Sequence, residues 1–118
     1  MPRQSKKRKA LMKEVTPARD AYRKEFPFCQ CGCGRKATDI HEICSGAARE
    51  SALSKREAWL HLFRTCHDRI QGWPVARQCA QKFLADPHYL NLATINALRG
   101  RSENAITWAD VVPHLRMT

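Results

Sequence analysis

The sequence predicts an α-rich α+β domain, in which a small metal-stapled core of strand and helix is covered by flanking helices. Three observations predict it. Cys29, Cys31 and Cys33 alternate in a glycine-containing stretch, and a Cys66-His67 pair returns downstream, which together offer thiols and imidazole to a metal. Only one short segment, Thr38 to Ile43, reads as a strand. The remaining apolar residues recur at helical spacing. At 118 residues the chain fits one domain with a modest core, for which a structural metal is a useful staple.

Residues 1–15 are polar, basic and without periodicity, and are expected to be a disordered basic tail ahead of a single domain over 16–118. Thr16-Pro17 supplies an N-cap and a first-turn proline, predicting a helix to about Glu25 that Pro27 stops. Its core-facing residues would be Ala18, Ala21, Tyr22 and Phe26, with Arg19, Arg23 and Lys24 left for water or phosphate. In FCQCGCGRK the three cysteines would share one face of an extended chain, and Gly32 and Gly34 permit the tight turn a zinc knuckle needs. The spacing departs from the usual C-x2-C, so Cys33 pairs with either Cys29 or Cys31; small buried cysteines packing as apolar groups are the other reading.

In the strand, alternation puts Asp39 and His41 on one face and Glu42 on the other. His41 and Glu42 share a site only if the chain bulges, which Cys44-Ser45-Gly46 allows. Residues 46–53 are a loop. Ser54 with Glu57 forms a capping box, and Trp59, Phe63, Cys66 and Ile70 follow at spacings of four, three and four, predicting one helix that Gly72-Trp73-Pro74 ends. On it His67 and Gln71 share a side, whereas His61 falls on another face and reads as a surface or satisfied core histidine. Beyond this metal core of 29–71, residues 74–118 form a helical extension: a helix with Val75, Cys79 and Phe83 inward and ended by Asp86-Pro87, a short helix closed by Gly100, and a segment capped by Thr107 and Asp110 and kinked at Pro113.

The net charge of +10 is uneven. Residues 1–13 hold six basic residues and no acid, leaving fifteen basic and eleven acidic residues from Glu14 onward. An arm with Lys6, Lys7, Arg8 and Lys9 suits sequence-blind contact with nucleic-acid phosphates, and the same four residues also fit a localisation signal. No apolar run approaches a membrane span and the N-terminus lacks a signal-peptide core, so no membrane partner and a cytoplasmic, reducing compartment are expected.

The order C-G-x-x-A-x-x-x-H-E-I from Cys33 to Ile43, a loop, and W-L-H-L-x-x-x-C-H-D from Trp59 to Asp68 resembles the HNH endonucleases of the His-Me finger (ββα-metal) superfamily, in a form often carried by phages. The resemblance covers Cys29 to about Gln71. It implies a hairpin and helix clasping one divalent cation (Mg, Mn, Ni or Zn) beside a structural zinc, and hydrolysis of DNA phosphodiesters by nicking or double-strand cleavage to 3′-hydroxyl and 5′-phosphate ends. DNA is the implied substrate, with RNA the other nucleic acid open to it, and a phage or host protein is a further candidate partner. By position His41 matches a metal ligand, Glu42 the general-base station, His67 the helix ligand and Cys66 a zinc thiolate. Phe63 stands where a second cysteine is usual, Ala58 near the middle asparagine, and Gln71 where a further ligand is often found. A site of Cys29, Cys31, Cys33 and Cys66 would restore four thiolates.

Two arrangements of the chemistry are open. In one, His41 and His67 hold the cation and Glu42 is the base, its carboxyl raised by partial burial; in the other, Asp39 and His67 hold it and His41 is the base. Arg64 and Arg69 flank His67 and could clamp phosphate. The alternative from a different class is a catalytically degenerate HNH-fold module for DNA binding or assembly, to which the residues at Ala58 and Phe63 point.

Overall fold

The computed structural model describes residues 6–43, 55–99 and 105–115. Helix α1 spans Lys6–Glu25, and strand β1 spans Asp39–Glu42. A single 3-10 turn at Arg56–Ala58 leads into β2, Trp59–Leu62, and then α2, Arg64–Ile70. Helices α3 (Val75–Ala85), α4 (Leu92–Arg99) and α5 (Trp108–Leu115) follow. The described residues are therefore helix-rich with one small antiparallel sheet, as the α+β expectation requires.

Two expectations for the first helix change. α1 begins at Lys6, ahead of the Thr16 cap, and runs through Pro17. A proline inside a helix removes one backbone hydrogen bond and costs about 3 kcal/mol. Packing offsets this: Val15 and Tyr22, seven residues apart on one face, are both almost wholly buried. Ala18 and Ala21, expected in the core, are exposed, and Phe26 is only half-buried. Of Lys6 to Lys9 the backbone alone belongs to the described structure, and residues 1–5 lie outside it, so the basic arm as a phosphate contact is not placed.

The helix expected from Ser54 onward is instead a turn, a strand and a shorter helix. Ser54 lies outside the described residues, and Lys55 occupies the cap of the 3-10 turn with no side-chain cap bond. All four residues of β2 are buried, so the segment carries no alternation to betray a strand. It pairs with β1 in the register Asp39↔Leu62, Ile40↔His61, His41↔Leu60 and Glu42↔Trp59. Thr38 N donating to Leu62 O and Ile43 N donating to Ala58 O extend the ladder at both ends. A two-stranded ribbon is marginal alone. Here Leu60 and Leu62 have no exposed surface, a burial worth about 1.5–3 kcal/mol each, and α2 packs against β1. The 46–53 loop, Cys44 and Gly100 lie outside the described residues.

α3 and α5 pack together, and α4 rests on the 3-10 turn. Thr107 and Asp110 form the expected cap, with Thr107 N donating to Asp110 Oδ2 at 2.9 Å. α5 continues through Pro113 to Leu115, so the proline does not break it. Among the described residues no helix is long and apolar enough to cross a membrane.

Candidate functional site

The cysteines converge because the chain turns, not because it is extended. Gly32 and Gly34 take φ of 89° and 83°, conformations that a side chain rarely adopts. Cys29 N donates to Arg35 O, Gly32 N donates to Cys29 O, and a bridge joins Phe28 to Lys36, folding residues 28–36 back on themselves. The first turns of α2 bring Cys66 to the same place. Sγ of Cys29 lies 3.2 Å from that of Cys31, Cys31 is 3.4 Å from Cys66, and Cys66 is 3.8 Å from Cys33. All four sulfurs lie within 4.8 Å of one another. Four thiolates around a tetrahedral zinc, with bonds of about 2.3 Å, stand roughly 3.8 Å apart, so the set fits such an ion. The four cysteines are thus positioned to hold a metal ion, with Phe63 serving as the N-cap of α2 and a platform for Arg35, whose guanidinium carbon is 5.1 Å from its ring.

The thiols differ in acidity. A hydrogen bond from the Arg35 backbone draws Cys33 down to about 7. Burial pushes Cys31 and Cys66 up. Cys33 is also the exposed member, so the thiol whose ionisation is eased is the one that meets solvent.

A second group forms where β1 passes α2. Strict alternation holds along β1, so Asp39 and His41 share the face toward α2. His67 Nδ1 is 3.1 Å from Asp39 Oδ2, and the rings of His41 and His67 are 5.0 Å apart. Arg64 Nε donates to the same Asp39 oxygen at 2.9 Å. The hydrogen bond with His67 holds the Asp39 carboxyl below its usual range, and burial holds His41 below the ordinary imidazole value. Cys66 and His67 are consecutive, so one turn of α2 serves both groups.

The structure brings together Asp39, His41 and His67 but not the other expected members. Glu42 points to the opposite face of β1, where Arg19 Nη2 donates to it at 3.1 Å. Arg19, expected to be free for phosphate, also lies 5.0 Å over the Trp59 ring. Gln71 is exposed at the C-cap of α2, a turn beyond His67. Arg69 is exposed and 5.8 Å from the Trp73 ring. His61 is a satisfied core histidine, as expected, with Nδ1 2.7 Å from Phe26 O.

The inward-facing polar contacts of Gln78 and Lys82 in α3 and of Asp86 at its C-cap were not anticipated. Gln78 Oε1 lies 2.6 Å from His41 Nε2. Lys82 Nζ donates to Asp86 Oδ2 at 2.9 Å and to the Tyr22 hydroxyl at 3.0 Å, with no surface of its own exposed. Gln78, Lys82 and Asp86 are four apart, on the face that Cys79 also lines, and polar residues repeating at that interval within an apolar face are the signal that could have found them.

Four thiols positioned to hold a metal ion thus lie beside an Asp-His-His group in a strand–strand–helix unit. No family model, curated protein or solved structure matches the chain.

Proposed function

We propose that the chain is a metal-dependent phosphodiester hydrolase acting on DNA, of the HNH type its motif resembles, with a structural zinc on Cys29, Cys31, Cys33 and Cys66. The observation carrying this reading is the convergence of Asp39, His41 and His67 between β1 and α2, next to Arg64. In it Asp39 and His67 hold the divalent cation and His41 is the general base. Asp39 Oδ2 and His67 Nδ1, 3.1 Å apart, are the oxygen and nitrogen that would hold such an ion. When bound, the cation stabilises charge on the pentavalent phosphorus and the leaving 3′-oxygen. His41, kept neutral by burial, accepts a proton from the attacking water. Glu42 is engaged by Arg19 across the strand, which favours His41 over it as the base.

A second reading is a DNA-binding or assembly module without catalysis. It is favoured by one observation: among the described residues only the four cysteines bring three or more metal-ligating groups close together. The test is cleavage of supercoiled plasmid with Mg²⁺, Mn²⁺, Ni²⁺ or Zn²⁺, each beside EDTA and a His67→Ala control. Metal-dependent nicking that disappears in the variant is the expected result, followed by a larger loss for His41→Ala than for Glu42→Ala. Absence of nicking with every metal, together with salt-sensitive DNA binding, replaces the nuclease with the module.

A further inference from the structure

The inward amide of Gln78 bears on one nitrogen of His41. Gln78 is 4% exposed, and its Nε2 donates to the backbone carbonyl of Trp73 at 2.9 Å. A carbonyl oxygen can only accept, so the amide is oriented with nitrogen toward Trp73 and oxygen toward His41. The reverse orientation would set two oxygens against each other inside the protein. Gln78 Oε1 in turn can only accept, so the 2.6 Å contact requires the proton of neutral His41 to sit on Nε2. The lone pair is then on Nδ1. The Trp73 end of this relay is itself held, because its carbonyl belongs to the turn that enters α3 and its ring lies 3.8 Å beneath the Arg77 guanidinium.

We propose that Gln78 is a positioning residue that fixes His41 in the Nε2–H tautomer and so makes Nδ1 its working nitrogen. A histidine that accepts a proton needs its lone pair on a defined atom, and a side chain free to exchange tautomers offers it only part of the time. The use made of Nδ1 rests on the reading of His41 as general base; the tautomer does not.

The test is nitrogen NMR of the imidazole rings in the full-length protein at neutral pH, joined to plasmid-nicking kinetics. The wild type is expected to show His41 with a protonated Nε2 and an unprotonated Nδ1. Gln78→Met keeps length without an acceptor, and should lose the pattern and lower kcat by about 10- to 100-fold with a smaller change in KM. An Nδ1–H tautomer in the wild type overturns the proposal without any variant. So does a folded Gln78→Met protein that retains the Nε2–H pattern, or one that loses it and still nicks at the wild-type kcat. Failure of the nuclease reading is separable: it shows as absence of nicking in the wild type, whatever the tautomer.

Discussion

Cys66 and His67 are neighbours in α2, yet their side chains enter different groups: Cys66 Sγ is 3.4 Å from Cys31 Sγ, and His67 Nδ1 is 3.1 Å from Asp39 Oδ2. Consecutive helical residues point about 100° apart, so one turn can hold a structural ion with one residue and a reactive site with the next. The two roles should separate on mutation. Cys66→Ser is expected to lose stoichiometric zinc and, because metal binding and folding are linked, on the order of 5 kcal/mol of stability. His67→Ala should keep its zinc and most of its melting temperature. Elemental analysis with thermal unfolding checks both; a zinc content unchanged in Cys66→Ser would remove that thiol from the site.

Local signals in the sequence were legible and distant ones were not. The Thr107–Asp110 cap and the shared face of Asp39 and His41 each depend on residues two or three positions apart. The cysteine set depends on thiol chemistry that few alternatives mimic. Trp59 to Leu62 failed because a strand buried on both faces has no period, while Trp59, Phe63, Cys66 and Ile70 imitate a helical stripe across a strand, a cap and a helix. Thr16-Pro17 is a sound start signal that tertiary burial of Val15 overrides. Gln78 and Lys82 were hidden because their partners His41 and Tyr22 lie 37 and 60 residues away in the chain.

The buried ammonium of Lys82 predicts an asymmetry. Asp86→Ala leaves Lys82 inside the protein with only the Tyr22 hydroxyl, and should cost about 3–5 kcal/mol. Lys82→Met leaves Asp86 still facing Arg56, whose Nε is 3.3 Å from it, and should cost less. Urea unfolding of the two variants decides this. Equal or reversed losses would mean that Arg56 does not compensate Asp86.

Acid should destabilise the fold from about pH 6.5 downward, the ordinary histidine value. Burial depresses His61 and His41 in the folded state, so as pH falls the unfolded chain takes up protons first and stability is lost until the folded pKa is passed. Asp39, also depressed, acts in the same direction at lower pH. In His61→Gln one of these uptakes is gone while an amide can still donate to Phe26 O. The stability gap between wild type and variant should therefore narrow between pH 7.5 and pH 5, as read by urea unfolding at fixed zinc. A gap constant across that range would mean that His61 titrates alike in both states.

In the proposed nuclease, Arg64 would be a basic residue placed to touch DNA beside the active site. Its side chain is 70% exposed while its Nε is committed to Asp39, which leaves the other guanidinium nitrogens directed by a fixed anchor rather than by a free arm. An exposed pair of this kind adds little to stability, so Arg64→Ala should melt within a few degrees of the wild type. As a phosphate contact it should matter more: affinity for any duplex falls about equally across sequences, and the slope of log K against log salt drops by about 1. Fluorescence anisotropy on two unrelated duplexes across a salt series measures both quantities. A slope unchanged in the variant would confine Arg64 to holding Asp39 in place for His67.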